Sequence, residues 1–134
     1  MTTTPRRIQR RRTKGWRAGD HSTNPRGVVY VGRGTWWGNP WVVAQTRTGW
    51  AVNWAGEGTP TPEWTASTDS QHAAHLMAVG LYREFANRTI GFAVRAWVEL
   101  AGRDLMCWCP PELPCHVDVL LELANDQAVR QDGA

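Results

Sequence analysis

A small single-domain α/β fold, with a partly parallel sheet, about three helices and a Trp-rich β-hairpin, is predicted by three observations. Hydrophobic periodicity runs in the order strand, hairpin, helix, helix, strand, helix along the chain. The 134 residues, 42% of them hydrophobic, suffice for one modest core and no second one. No apolar run approaches the ~20 residues that cross a bilayer, and the Arg-rich N-terminus lacks the apolar stretch of a secretory signal, so a cytoplasmic protein is expected.

Gly27-Val28-Val29-Tyr30-Val31 is a β-branched run that enters the glycine-rich turn Gly32 to Pro40, which predicts a first core strand followed by a loop. Trp41-Val42-Val43-Ala44 and Trp50-Ala51-Val52-Asn53-Trp54 flank the turn Thr46-Arg47-Thr48-Gly49. Trp50, Val52 and Trp54 share one face at a period of two, so this pair reads as the hairpin. Ala55 to Thr68, with Pro60 and Pro62, has no periodicity and reads as a surface loop.

Thr68 and Gln71 fit a capping box, and Leu76, Val79, Tyr82, Phe85 and Ala86 follow at helical spacing, predicting a helix over Asp69 to Asn87. Phe92, Ala93, Ala96, Trp97 and Leu100 predict a second helix that Gly102 stops. Asp104 to Cys109 is short, apolar and closed by Pro110, as a strand should be. Val117, Leu120, Leu121 and Ala124 predict a third helix over Cys115 to Asn125, next to a helix-initiating proline. Residues 126–134 read as a polar tail.

Charge is uneven. Residues 1–18 carry Arg6, Arg7, Arg10, Arg11, Arg12, Lys14 and Arg17 with no acid, and the remainder holds 8 basic against 12 acidic residues. This divides the chain into a basic arm over 1–18, a domain over 19–125 and the tail. Such an arm is the footprint of phosphate contact, and Trp16 adds a stacking surface of the kind single-stranded nucleic acids use. A solvated tail with Trp16 folded onto the body is the plainer alternative.

Two constellations carry chemistry. Cys107, Cys109, Cys115 and His116 put three thiols and an imidazole within ten residues, enough for a tetrahedral zinc site. Cys107 and Cys109 point to one face of a strand, while Cys115 and His116 return at a helix start. The C-x-C-x5-C-H spacing departs from the common zinc knuckle, and adjacent side chains at a helix start diverge by roughly 100°. Alternatively, Cys115 is a reactive thiolate at the positive end of a helix dipole, with His116 or His75 as its base. Simple burial of the thiols in a core strand is the third reading. The odd number of cysteines suits a reducing compartment and a site better than a disulfide framework. His72 and His75, one helical turn apart, are secondary candidates.

The second constellation is the loop Gly32-Arg33-Gly34-Thr35-Trp36-Trp37-Gly38-Asn39-Pro40. Its glycines let backbone amides approach an anion, Arg33 offers a charge-assisted fork, and Trp36 and Trp37 offer stacking faces. A loop at the carboxyl end of a parallel strand is also where open α/β sheets bind ligands. The segment matches neither a dinucleotide fingerprint nor a P-loop, and Gly-Asn-Pro is a common turn.

The motifs Arg7 to Arg17, Val29-Tyr30-Val31-Gly32-Arg33 leading to Trp37-Gly38-Asn39-Pro40, Gly102 to Pro110 and Pro114-Cys115-His116-Val117-Asp118 through Asn125 resemble the domain-of-unknown-function family 4326, of bacterial and phage proteins. The resemblance spans nearly the whole chain in the same order. It implies that Lys14-Gly15-Trp16-Arg17 belongs to the domain and that the arm and both constellations form one site. Where the family has proline and lysine this chain has Gly34 and Trp36, which puts a lysine contact to ligand in doubt.

Three functions follow as expectations. The first is a nucleic-acid or nucleotide-binding protein: Lys14, Arg17 and Arg33 grip phosphate, with Gly34 and Asn39 in the loop, Trp16, Trp36 and Trp37 stack, and zinc on Cys107, Cys109, Cys115 and His116 holds the fold. The second is an enzyme on nucleotides or modified bases, a hydrolase or transferase, with Cys115, His116 and Asp118 as nucleophile or acid and base. The third is an inhibitor that docks a Trp surface on a partner protein.

Overall fold

The computed structural model describes residues 4–56 and 66–126. Among the described residues, two three-stranded sheets, three α-helices and a short 3-10 helix over Ala18–His21 make up the fold. Strands β1 (Arg7–Gln9), β6 (Asp104–Cys107) and β2 (Val28–Tyr30) form a parallel sheet in that spatial order. Strands β3 (Trp41–Gln45), β4 (Trp50–Trp54) and β5 (Ala66–Thr68) form an antiparallel one. Helices α1 (Gln71–Arg88), α2 (Phe92–Leu100) and α3 (His116–Ala124) complete the α/β architecture.

β6 lies at the centre of the parallel sheet, and all four of its residues are buried. That explains its uninterrupted apolar run, since a central parallel strand is covered on both faces. Its one acid, Asp104, is buried too and accepts hydrogen bonds from Ser22 Oγ, Asn24 Nδ2 and the Arg6 backbone N–H. These bonds tie the start of β6 to the residue before β1 and to the segment between β1 and β2. β1 was not expected. Arg7–Gln9 lie within the stretch read as a basic arm, yet they pair in register with Leu105 to Cys107.

The Trp hairpin forms as expected, with Trp41 opposite Trp54 and Val43 opposite Val52. The loop expected over Ala55 to Thr68 needs correction at its end, because Ala66 to Thr68 pair with Val52 to Trp50 as a third strand. Residues 57–65 of that loop, and 127–134 of the expected tail, lie outside the described residues.

α1 starts two residues later than expected. Its cap is Ser70, whose hydroxyl accepts from the Ala73 N–H, and the Thr68 hydroxyl instead donates to the Ser70 carbonyl. The buried face of α1 is Ala74, Ala78, Tyr82 and Ala86, an i, i+4 row, whereas Leu76 is exposed. Small residues win this face because α1 lies close on the hairpin: Ala74 and Ala78 pack with Val52 in a small core, edged by Trp41, Val43 and Trp50. Its other end enters the main core, where Tyr82 and Ala86 join Phe92, Leu100, Leu105, Val117 and Leu120. α1 thereby joins the two sheets. α2 and α3 bury the faces their periodicity predicts, through Phe92, Ala96 and Leu100 and through Val117, Leu120 and Ala124. Among the described residues no helix is long and apolar enough to cross a membrane.

Candidate functional site

The three parallel strands all point their carboxyl ends to one edge of the sheet, so the segments that follow them converge there. Arg10 to Lys14 leave β1, Gly32 to Pro40 leave β2, and Trp108 to Pro114 leave β6 before α3 begins. The register Tyr30 against Met106 sets the glycine loop directly beside the cysteine segment. This is the position at which open α/β sheets place ligands.

The thiols meet at this edge. The sulfurs of Cys107, Cys109 and Cys115 lie within 4.8 Å of one another, a group that could hold a metal ion. Cys107 and Cys109 reach it because alternate residues of an extended segment share a side. Cys115 reaches it as the N-cap of α3, where its thiol accepts from the Asp118 N–H and the Asp118 carboxylate accepts from the Cys115 N–H. The trio ionises first at Cys109: thiol hydrogen bonds from Cys107 and Cys115 outweigh burial and hold its pKa far below the usual thiol value. The bond to Cys109 pushes Cys107 up to about 11, and bonds to both neighbours push Cys115 up.

His116 is buried beside this group but not in it. Its Nε2–H donates to the Val31 carbonyl at 2.8 Å, which leaves the lone pair on Nδ1, 3.6 Å from Cys115 Sγ. Burial lowers its pKa, so the ring is neutral and links α3 to the start of the glycine loop. Adjacent positions at a helix start diverge, and Cys115 takes the sulfur site while His116 turns to Val31, the residue that follows β2.

A single cavity of about 580 Å³ joins the two constellations. The thiols and His116 line it, with Arg33, Gly34 and Asn39 from the loop. Gly34 holds a left-handed backbone, φ +95°, that glycine adopts without strain. Asn39 fixes the end of the loop by donating to the Ala78 carbonyl and accepting from the Trp41 N–H. The sequence did not single out Arg12, Tyr30, Trp41 or Trp108, which also line the cavity; His75, a secondary candidate, does so as well. Arg12 and Arg10 each place a guanidinium 5.0 Å from the Trp108 ring centre.

Other expected site residues lie elsewhere. Trp37 is buried in the main core, its carbonyl accepting from the Tyr82 hydroxyl, and Trp36 stacks on Phe92 beneath Arg95. Lys14, Trp16 and Arg17 do not line the cavity, and Trp16 stacks on His21 at 5.0 Å. Asp118 pairs with Arg7 at 3.0 Å and completes the helix cap, away from the cavity. Arg7 also donates to the carbonyls of Pro110, Pro111 and Leu113, which holds the cysteine turn against β1. No local pattern marks that role, since it requires the turn to be folded first.

A family model described as a domain of unknown function, DUF4326, matches residues 8–126. No curated protein and no solved structure matches the chain.

Proposed function

The chain belongs to the DUF4326 family, and we propose that its cavity binds a nucleotide-class ligand beside a zinc ion held by Cys107, Cys109 and Cys115. The observation that carries this reading is the sharing of one cavity by the thiols and by two arginines, Arg12 and Arg33. Its volume, about 580 Å³, lies within the range of small-ligand sites. Arg12 and Arg33 have no acidic partner among the described residues and are exposed, so their forks are open to phosphate. Tyr30, Trp41 and Trp108 supply aromatic faces for a base. Zinc suits three sulfur donors, which it binds as thiolates, and the low pKa of Cys109 supplies the first.

Titration calorimetry of the zinc-loaded protein with mononucleotides tests the reading. Binding that Arg33→Ala weakens about tenfold or more, with zinc content unchanged, supports it. Equal affinity in both proteins, or no binding of any mononucleotide, overturns it.

One observation favours an enzyme as the second reading. Structural zinc sites close with four protein donors, whereas catalytic sites use three and keep an open position. Here three donors meet and border a cavity, with no fourth in the group among the described residues. In that case His75, on the cavity wall, serves as the proton-transfer group in place of Asp118. Chromatography of nucleotides incubated with intact protein and with His75→Ala tests it. Turnover that the substitution abolishes supports the reading, and absence of turnover in the intact protein sinks it.

A further inference from the structure

The basic segment that precedes the cavity divides by role. Arg6 and Arg7 are spent on the fold: Arg6 donates to the His21 carbonyl, and Arg7 clasps the cysteine turn and Asp118. Arg10 lies between Tyr30 and Trp108, 5.0 Å from each ring centre. Arg11, Arg12, Lys14 and Arg17 are exposed, and among the described residues none of them has an acidic partner. Arg12 belongs to both regions, because it lines the cavity and also stands 5.0 Å from the centre of Trp108. Exposed cations without an acidic partner among the described residues therefore follow one another along the chain from Arg12, which lines the cavity, to Arg17, next to Trp16, which stacks on His21.

A free mononucleotide carries its phosphates on one side of one sugar and has no use for charge beyond the mouth. A strand carries a phosphate at every step, so neighbours of a bound nucleotide bring negative charge onto such a strip. Aromatic faces interleaved with cations are how proteins track single strands without reading sequence. Duplex DNA presents its bases stacked inside and could not place one in the cavity without extruding it, at a cost of a few kcal/mol. We propose that the ligand is a single-stranded nucleic acid, one nucleotide of which enters the cavity while its flanking phosphates lie along Arg11, Arg12, Lys14 and Arg17. This rests on the reading of the cavity as a nucleotide site and names the class of molecule that presents the nucleotide.

The test uses the full chain, zinc-loaded, with a dye-labelled single-stranded oligonucleotide followed by fluorescence anisotropy across a salt series, beside calorimetry with the corresponding mononucleotide. Arg11→Gln, Lys14→Gln and Arg17→Gln are combined in one variant, all at exposed positions outside the cavity. The intact protein should bind the oligonucleotide about tenfold or more tighter than the mononucleotide at low salt. The variant should lose that advantage, with its slope of log affinity against log salt shallower by roughly 2, from ~0.7 per phosphate contact. Mononucleotide affinity should be the same in both proteins. If the mononucleotide binds but the oligonucleotide binds no tighter, or binds the variant equally well, the strip is not a strand path and the cavity reading stands alone. If a duplex of equal length binds tighter than the single strand, the proposal is also overturned. If neither mononucleotide nor oligonucleotide binds, the cavity reading fails and takes this inference with it.

Discussion

Cys107 Sγ and Cys115 Sγ stand 3.1 Å apart, the first on the last residue of β6 and the second at the N-cap of α3. Two thiols this close either share a metal ion or, without one, are placed to be coupled by an oxidant. Reduced protein is expected to hold one zinc ion per chain by elemental analysis, and Cys107→Ser or Cys109→Ser to hold markedly less. After chelation, the thiol oxidant diamide should remove two of the three titratable thiols, joining Cys107 to Cys115 as the diamide takes up their hydrogens. Zinc-loaded protein should resist the same treatment. Full metal retention in Cys107→Ser would contradict the assignment.

Arg7 acts as the clasp of the cysteine turn. Its side chain is 13% exposed and reaches three carbonyls and the Asp118 carboxylate. Arg7→Ala leaves those acceptors without their donor and should cost about 2–3 kcal/mol in denaturant unfolding. Arg7→Lys should recover little, because a single ammonium cannot span the positions a planar fork spans. A variant as stable as the parent would show that the turn holds itself.

Acid should weaken the protein through Asp104. Burial alone raises its carboxyl pKa, but hydrogen bonds from Ser22, Asn24 and the Arg6 N–H, with the Arg6 charge, outweigh burial and leave it lowered. The folded value therefore lies below the unfolded one, near 3.9. Its contribution is complete above that unfolded value and fades as pH falls through the lowered folded value. Asp104→Asn should lose about 1–3 kcal/mol at neutral pH and show a flatter fall in stability below about pH 4. Parallel acid limbs in the two proteins would remove Asp104 from the account.

The glycine loop can be tested through its backbone alone. Gly34 has φ +95°, and a Cβ built there meets nothing within 4 Å, so Gly34→Ala introduces strain without a clash. A cost of about 1–2 kcal/mol in stability is expected. Nucleotide affinity should fall with it, since Gly34 lines the cavity, while zinc content should not. Unchanged affinity would show that the loop is only a turn.

Periodicity and punctuation carried most of the fold to the reader of the sequence. Gly102, φ +73°, ends the second helical pattern, and the Trp41 to Trp54 pairing follows from alternation across a short turn. β1 was hidden because a three-residue edge strand with one buried side chain, Ile8, has no pattern of its own; its partner lies 98 positions further on. β5 was hidden in the same way behind a proline-rich stretch. In the site, the thiols were visible because three cysteines in nine residues have few plain uses. His116 was harder to place, because whether an imidazole faces a sulfur or a carbonyl depends on the helix start and on Val31 across the sheet. Trp37 looked like a ligand face on composition, and only packing against Phe92 and Tyr82 decides that it belongs to the core.

The central place of β6 also governs the order in which the molecule can be made. On a ribosome, β1 and β2 emerge well before β6, the strand with which each of them pairs among the described residues. The antiparallel sheet and α1 are assembled from neighbouring segments and can form while synthesis continues. The parallel sheet, the cavity and the thiol centre close together in one late step, once residues 104–116 have emerged. A prematurely terminated chain can therefore keep its hairpin but has no cavity, and until that step its basic segment and glycine loop stay apart.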